Sequence, residues 1–387
     1  MYKVYFWISV VTCLSAQCLI GGEKAKVEAA DDLFLQPQVL QLKIELPAAS
    51  LESLKTDPKK YVRATLKEGG TVFADVGLRM KGNGGFQGLE RKPSFTLKFN
   101  EFVSGEKFHG QGKLFFENAH QDPSYLGAAL GGEIFRSVNV PAPRVTFARL
   151  DFDGKNAGVY VISEAINREF LSQYYKKSKG NLYEGANGDI TDRLQKDGGD
   201  AAKDQADLKA LASACREQDP VQRIKKVSAL LDLERFISFA VVEDYTWNSS
   251  GYSLGRNNYR VYHDPNSNLL SFIPHGVEHL FGNTKGALFP EWKGLVTRGI
   301  LATPEGQKRY KEQMTKLIAG PGKPETLAVR INDWAGKIRP AIAKDSSGDL
   351  KTFDSAVALL KTRMAERAKF LEEELKKPEP VAATPAK

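Results

Sequence analysis

The chain has 387 residues, 42% apolar, 10% aromatic and 26% charged, which is enough to fill one large or two ordinary cores and excludes global disorder, collagen-like repeats and coiled coils. Lys and Arg number 55 against 47 acids, a formal charge of +8; with no dense basic block beside it, that mild excess gives nucleic-acid binding no footing. Cys13 and Cys18 stand near the start and only Cys215 lies in the body, so a chain that loses its start forms no internal disulfide and is held by its core.

The first residues read as an export signal. Lys3 supplies a positive start, Val4 to Leu14 an apolar stretch, and Ser15 and Ala16 a small-residue cleavage zone before Gly21-Gly22. This predicts a signal peptide over residues 1–22 and an exported protein, whether periplasmic, at the cell surface or extracellular. An uncleaved anchor is the rival, since the apolar stretch to Ile20 approaches a membrane span in length. Only in that case does the protein touch a membrane. Residues 23–37 read as a polar linker.

Residues 39–46 alternate with period two and predict a strand. A short helix over 48–54 follows, and 72–81 and 94–99 alternate again around Gly82-Asn-Gly-Gly-Phe-Gln-Gly88. Asp122 and Pro123 predict the start of a helix running to Ser137. Residues 145–150 and 159–163 predict a hairpin turned at Asp151-Phe-Asp-Gly-Lys-Asn156. From Gly180 the periodicity becomes helical, over 205–215, 220–243, 305–318, 324–343 and 352–376, interrupted by one small hairpin of 258–263 with 269–273. The last helix carries Phe353, Val357, Leu360, Met364, Leu371 and Leu375 on one stripe that should face a core. The expected organisation is α+β and bilobal, with a sheet-rich N-terminal lobe over 38–180, a helical C-terminal lobe over 181–376 and a disordered Pro/Ala-rich tail over 377–387.

The glycine-rich loop reads either as a phosphate-binding nest or as a plain hairpin connection, because its spacing matches neither the Walker pattern nor G-x-G-x-x-G. Lys81 and Lys98 are expected to flank it, on the strand face opposite Leu78, Met80, Leu97 and Phe99. His275-Gly-Val-Glu278-His279 matches the H-x-x-E-H pattern of inverted zinc peptidases, with two histidine ligands and a glutamate base. That pattern needs a long helix, whereas here a strand precedes it and Gly276 interrupts it.

Taken in order, Val76-Gly-Leu-Arg-Met-Lys-Gly-Asn83, Lys92-Pro-Ser-Phe-Thr-Leu-Lys-Phe99, Asn118-Ala-His-Gln-Asp-Pro-Ser124, Val140-Pro-Ala-Pro-Arg144, Gly158-Val-Tyr-Val-Ile-Ser-Glu164, Gly180-Asn-Leu-Tyr183, Asn257-Asn-Tyr259 and the run from Ile273 to Gly282 resemble the spore coat CotH-type kinase family. The resemblance covers roughly residues 38–375. It implies an atypical protein-kinase-like fold, ATP with Mg²⁺ or Mn²⁺ held between the lobes, and γ-phosphate transfer to Ser or Thr of surface or envelope proteins. It also implies phosphate contacts for Lys81, Asn83 and Lys98, an acidic residue at Glu164 that orients a lysine, and metal binding at Asn257 or Asn258.

Two positions depart from the family pattern. Ser250 stands where the family has its aspartate before Gly-Tyr, and Gly276 replaces the first carboxylate of the metal segment, leaving Glu278 at the second. A serine does not act as a base near neutral pH. Asp244 is therefore the expected substitute base and Glu278 the expected metal ligand, and aspartates restored at 250 and 276 should raise transfer. The resemblance leaves a second reading open, a non-catalytic pseudokinase serving as a binding module.

Overall fold

In the computed structural model the described residues are 33–35, 39–82, 87–199, 204–345 and 349–377. The expected signal peptide, most of the linker, Asn83 and nearly all of the tail lie outside them.

Seven strands close a barrel: β1 (Val39–Glu45), β2 (Val62–Glu68), β3 (Thr71–Lys81), β4 (Ser94–Lys98), β5 (Lys113–Glu117), β6 (Val145–Phe152) and β7 (Lys155–Glu164), in the order β1-β2-β3-β4-β5-β7-β6. Every neighbouring pair is antiparallel except β1 and β6, which run parallel from Val39 opposite Phe147 to Ile44 opposite Phe152. The period-two alternation places Leu42, Leu66, Leu78, Leu97, Phe116 and Ile162 inside, each contributing about 1.5–3 kcal/mol by burial. Helix α1 (Ala48–Thr56) packs on β2.

The β6–β7 hairpin is apolar on both faces. Ala148, Leu150, Tyr160 and Ile162 point into the barrel, while Phe147, Val159 and Val161 point outward into a second core. That core gathers α2 (Gly127–Ser137), α4 (Ala206–Cys215), α6 (Leu233–Tyr245), α9 (Pro304–Ala319), α10 (Pro324–Ala343) and α11 (Leu350–Leu375), so one wall serves both bodies. The α11 stripe behaves as its spacing predicts: Phe353, Val357, Leu360, Met364 and Leu371 are buried, and Leu375 packs at its end.

Helix starts follow capping chemistry. Asp219 accepts the Gln222 N–H ahead of Pro220 at the start of α5 (Pro220–Ser228), Thr303 accepts that of Gly306 ahead of Pro304, and Asp349 accepts that of Thr352. Asp232 caps α6 through the Arg235 N–H, which splits the single stretch expected over 220–243. Asp122 accepts the N–H groups of Ser124 and Gly127, so its turn leads into α2 and the helix begins later than expected.

The small hairpin turns out to be half of a four-stranded sheet. β10 (Tyr259–Asp264) and β11 (Leu269–Pro274) pair with each other, and β10 also pairs with β8 (Asn181–Gly185), which carries β9 (Gln195–Gly198) at its edge. Shorter helices complete the body, namely α3 (Arg168–Tyr174), α7 (Tyr252–Gly255) and α8 (Leu295–Leu301). No helix among the described residues is long and apolar enough to cross a membrane.

Candidate functional site

The outer face of β3, β4 and β5 is the polar side of the barrel, because alternation turns Arg79, Lys81, Lys98, Lys113, Phe115 and Glu117 away from the interior. Lys81 at the end of β3 makes an ion pair with Glu117 at the end of β5, and its ammonium lies 4.7 Å from the centre of the Phe115 ring. Lys113 approaches the same ring at 5.3 Å. One half-buried aromatic ring thus carries two lysines.

This wall faces the second sheet and the segment leaving β11. Burial pushes the Lys113 ammonium pKa down, Arg79 and Arg260 push the same way, and Asp197 and Glu184 oppose them. Arg260 on β10 forms ion pairs with Asp197 and, at 3.3 Å, with Glu184. Burial raises the Glu278 carboxyl pKa and Glu117 adds to the rise, against the pull of His279 and Lys81. His275 is held neutral, its pKa lowered to about 3 by burial and by the charges of Arg260 and Lys81, and its Nε2 is buried without a hydrogen-bond partner. A cavity of about 280 Å³ lies beside this cleft, lined in part by Glu184, Asn187, Gly188 and Asp192.

The residues singled out in the sequence fall in several places. Lys98 pairs in register with Gly77, whereas Lys81 pairs with Ser94, so Lys98 sits at the far end of β4 from the glycine loop, bonded to Glu101 at 2.6 Å. The expectation that both lysines flank the loop is corrected by the antiparallel register. Glu164 orients no lysine: its carboxylate is saturated by Arg144, at 2.7 and 3.1 Å, and by Gln173 at 2.7 Å. Glu117 takes the role expected of Glu164. It escaped notice because β5 is only Lys-Leu-Phe-Phe-Glu, too short for its alternation to stand out.

Asp244 is not placed to act as a base. It has no solvent exposure and lies in the helical body between the Tyr310 hydroxyl at 2.6 Å and the Arg367 guanidinium at 3.0 Å. Burial pushes its carboxyl up to about 7 against the pull of Arg367. Ser250 lies on the turn after α6, partly exposed. Glu243 holds that turn from below, accepting the N–H groups of Tyr252 at 2.7 Å and Ser253 at 2.8 Å.

The metal segment is poor in donors. Gly276 has φ +60°, and a Cβ there would lie 2.9 Å from the Asn258 side-chain amide. The Asn258 Nδ2 donates to the Gly276 carbonyl at 3.3 Å, and the Asn257 Oδ1 accepts the Asn187 N–H at 3.1 Å. Residues 275–280 form no helix, so His275, Glu278 and His279 do not share the helical face a zinc peptidase needs. Among the described residues no group of three His, Cys, Asp or Glu side chains is arranged to hold a metal ion.

A barrel lobe, a helical lobe and a lysine–glutamate pair in the cleft between them define a kinase-like protein. The model of the CotH kinase protein family matches residues 78–371, and the chain belongs to that family. It is 21% identical over 309 residues to inner spore coat protein H of Bacillus subtilis, covering 74% of this chain and 83% of that one. It is 25% identical over 208 residues to invasin CotH3 of Rhizopus delemar, covering 48% of this chain and 34% of the invasin, so that match spans about a third of the invasin's length. Among solved structures, the Helicobacter pylori proinflammatory kinase CtkA gives a TM-score of 0.31 at 8% identity, over 73% of this chain and 94% of that chain. A chain of the HipA, HipB and operator DNA complex from Shewanella oneidensis MR-1 gives 0.33 at 15%, over 87% and 74%. Scores this low leave the assignment to the family match and to the molecule itself.

Proposed function

We propose that this chain is an exported, nucleotide-binding, kinase-like protein that takes ATP between the barrel face and the β10–β11 hairpin and transfers its γ-phosphate slowly or not at all. The cleft pair Lys81–Glu117 carries this reading, because an ammonium fixed by a carboxylate on one wall, with a glycine-rich sequence starting at the next residue, supplies phosphate charge beside glycine backbone N–H donors. Phosphoryl transfer also needs a carboxylate to take the hydroxyl proton. With Ser250 at the family's position and Asp244 sealed in the helical body, the base is missing, which favours the pseudokinase form of the reading. A surface or envelope protein is the natural partner or substrate of such an exported module.

Two measurements on one preparation test this: calorimetric titration with ATP, and transfer of labelled γ-phosphate to the chain itself and to a generic Ser/Thr protein. ATP should bind, and turnover should fall at least about 10²-fold below the roughly 1–100 s⁻¹ of ordinary kinases. Absence of ATP binding under every buffer condition overturns the proposal, and turnover within the ordinary range overturns its claim of degraded catalysis.

A further inference from the structure

The residues of the cleft do not fit the divalent metal that the family implies. Mg²⁺ takes hard oxygen ligands in a strict geometry, usually one or two carboxylates together with phosphate oxygens. Position 276 offers no side-chain oxygen, and a Cβ added there meets the Asn258 amide. The Asn258 Nδ2 donates to the Gly276 carbonyl, which leaves one neutral amide oxygen there, and the Asn257 oxygen holds the Asn187 N–H. Glu278 is then the one remaining carboxylate of the segment. Cations line the facing wall, with Lys81 paired to Glu117 and Arg260 held by Asp197 and Glu184. Lys81 and Lys113 share the Phe115 ring, Arg79 stands two residues before Lys81 on the same face of β3, and His275 keeps a buried Nε2 with no partner, the kind of orphaned polar atom that a missing ligand accounts for.

We infer that the cleft binds the triphosphate of a nucleotide as the metal-free anion, with Lys81, Lys113 and Arg79 supplying the positive charge that Mg²⁺ supplies in an ordinary kinase. This rests on the nucleotide-binding reading above and adds the chemical form of the ligand to it. Lys113 thereby gains a role that neither the sequence nor the family pattern assigned, as a second phosphate contact beside Lys81.

The test is ATP titration of the full chain in EDTA and again in excess Mg²⁺, with inorganic tripolyphosphate as competitor in EDTA. The two ATP dissociation constants should agree within about threefold, tripolyphosphate should compete, and raised salt should weaken both ligands, as it does for charge-driven contacts. Lys113→Met should lower ATP affinity in EDTA by about tenfold or more, the equivalent of one charge-assisted contact, while adenosine affinity stays nearly level. Unchanged ATP affinity in Lys113→Met, with the variant folded by circular dichroism, removes Lys113 from the site and overturns its part of the inference. Binding seen only with Mg²⁺, or at least about tenfold tighter with it, overturns the metal-free form and leaves nucleotide binding standing. Failure of ATP to bind in either buffer overturns the nucleotide reading itself.

Discussion

Arg367 on α11 and Asp244 at the end of α6 meet at 3.0 Å where neither side chain has any solvent exposure. The same guanidinium also reaches the Asp244 carbonyl at 2.9 Å and the Gly286 carbonyl, and lies 5.1 Å from the Trp247 ring centre. One arginine thereby ties the last helix to the loop that carries Ser250. Removing one partner of a buried ion pair strands the other, so Asp244→Asn or Arg367→Met alone should each cost about 3–5 kcal/mol in denaturant unfolding. The double variant should cost less than the two single losses added together. ATP affinity of the folded Asp244→Asn protein should match that of the parent, and loss of that affinity alone would return Asp244 to the site.

Glu243, beside it, sets a pH dependence. Burial raises its carboxyl pKa from 4.5 to about 7, so between those values the folded chain holds a proton that the unfolded chain releases. Its contribution is complete below the unfolded value, and stability falls as pH rises through the folded one. Unfolding free energies measured from pH 5 to pH 8 should decline for the parent and decline less for Glu243→Gln. Identical slopes would show that Glu243 stays ionised, fixed by the two N–H groups it accepts.

Glu164→Gln separates a structural carboxylate from a nucleotide-orienting one. Its side chain is fully buried and Arg144 is only 16% exposed, so the loss should be about 3–5 kcal/mol of stability, with ATP affinity unaltered. Glu117→Gln should do the opposite, since its pair with Lys81 is about one-third exposed and contributes little to folding. A loss of ATP affinity in the Glu164 variant and none in the Glu117 variant would reverse the two assignments.

Restoring the family's aspartates should work at one position and fail at the other. Ser250 lies on a partly exposed turn, and Ser250→Asp should unfold within about 0.5 kcal/mol of the parent. At Gly276 the backbone is left-handed and the added Cβ meets Asn258, so Gly276→Asp should cost about 1–3 kcal/mol. The double variant should transfer no more phosphate than Ser250→Asp alone. A further gain of about 10²-fold from Gly276→Asp, the size of a placed catalytic group, would mean that the loop rearranges to seat a metal.

Export is read from the first residues alone. Mass spectrometry of protein from the native host should find a mature N-terminus between about residues 16 and 24. Intact Met1 on a protein recovered from the cytoplasm would refute it.

How much of this was legible depended on whether a signal was local. The α11 stripe and the helical stretches expected over 305–318 and 324–343 are written in periodicity and stand within a residue or two of their expected bounds, and the hairpin expected over 145–163 forms with a tighter turn, since its strands run to Phe152 and from Lys155. β2 and β5 were missed for different reasons: Arg63, Lys67 and Glu68 blur the alternation of β2, although it turns straight back into β3 through Gly69-Gly70, whereas β5 has only five residues and takes its second neighbour, β7, from far along the chain. The site suffered more. Lys81 was found through its motif, but Glu117 and Lys113 belong to an unrecognised strand. Asp244 looked available because burial by Tyr310 and Arg367, far away in sequence, leaves no local trace. The Lys98 error was one of register, which no single strand reveals.

The parallel seam between β1 and β6 bears on how the molecule is assembled. Residues 39–44 find their second neighbour only when 147–152 arrive, so a chain emerging N-terminus first carries β1 with one unpaired side while most of the barrel is still to follow. Contacts this distant in sequence are slow to form, and an unsatisfied strand side invites pairing with another chain. The interval before the seam closes is thus the period when newly made protein is most prone to aggregate. Once closed, the barrel offers no free strand, and its protection depends on a contact made late.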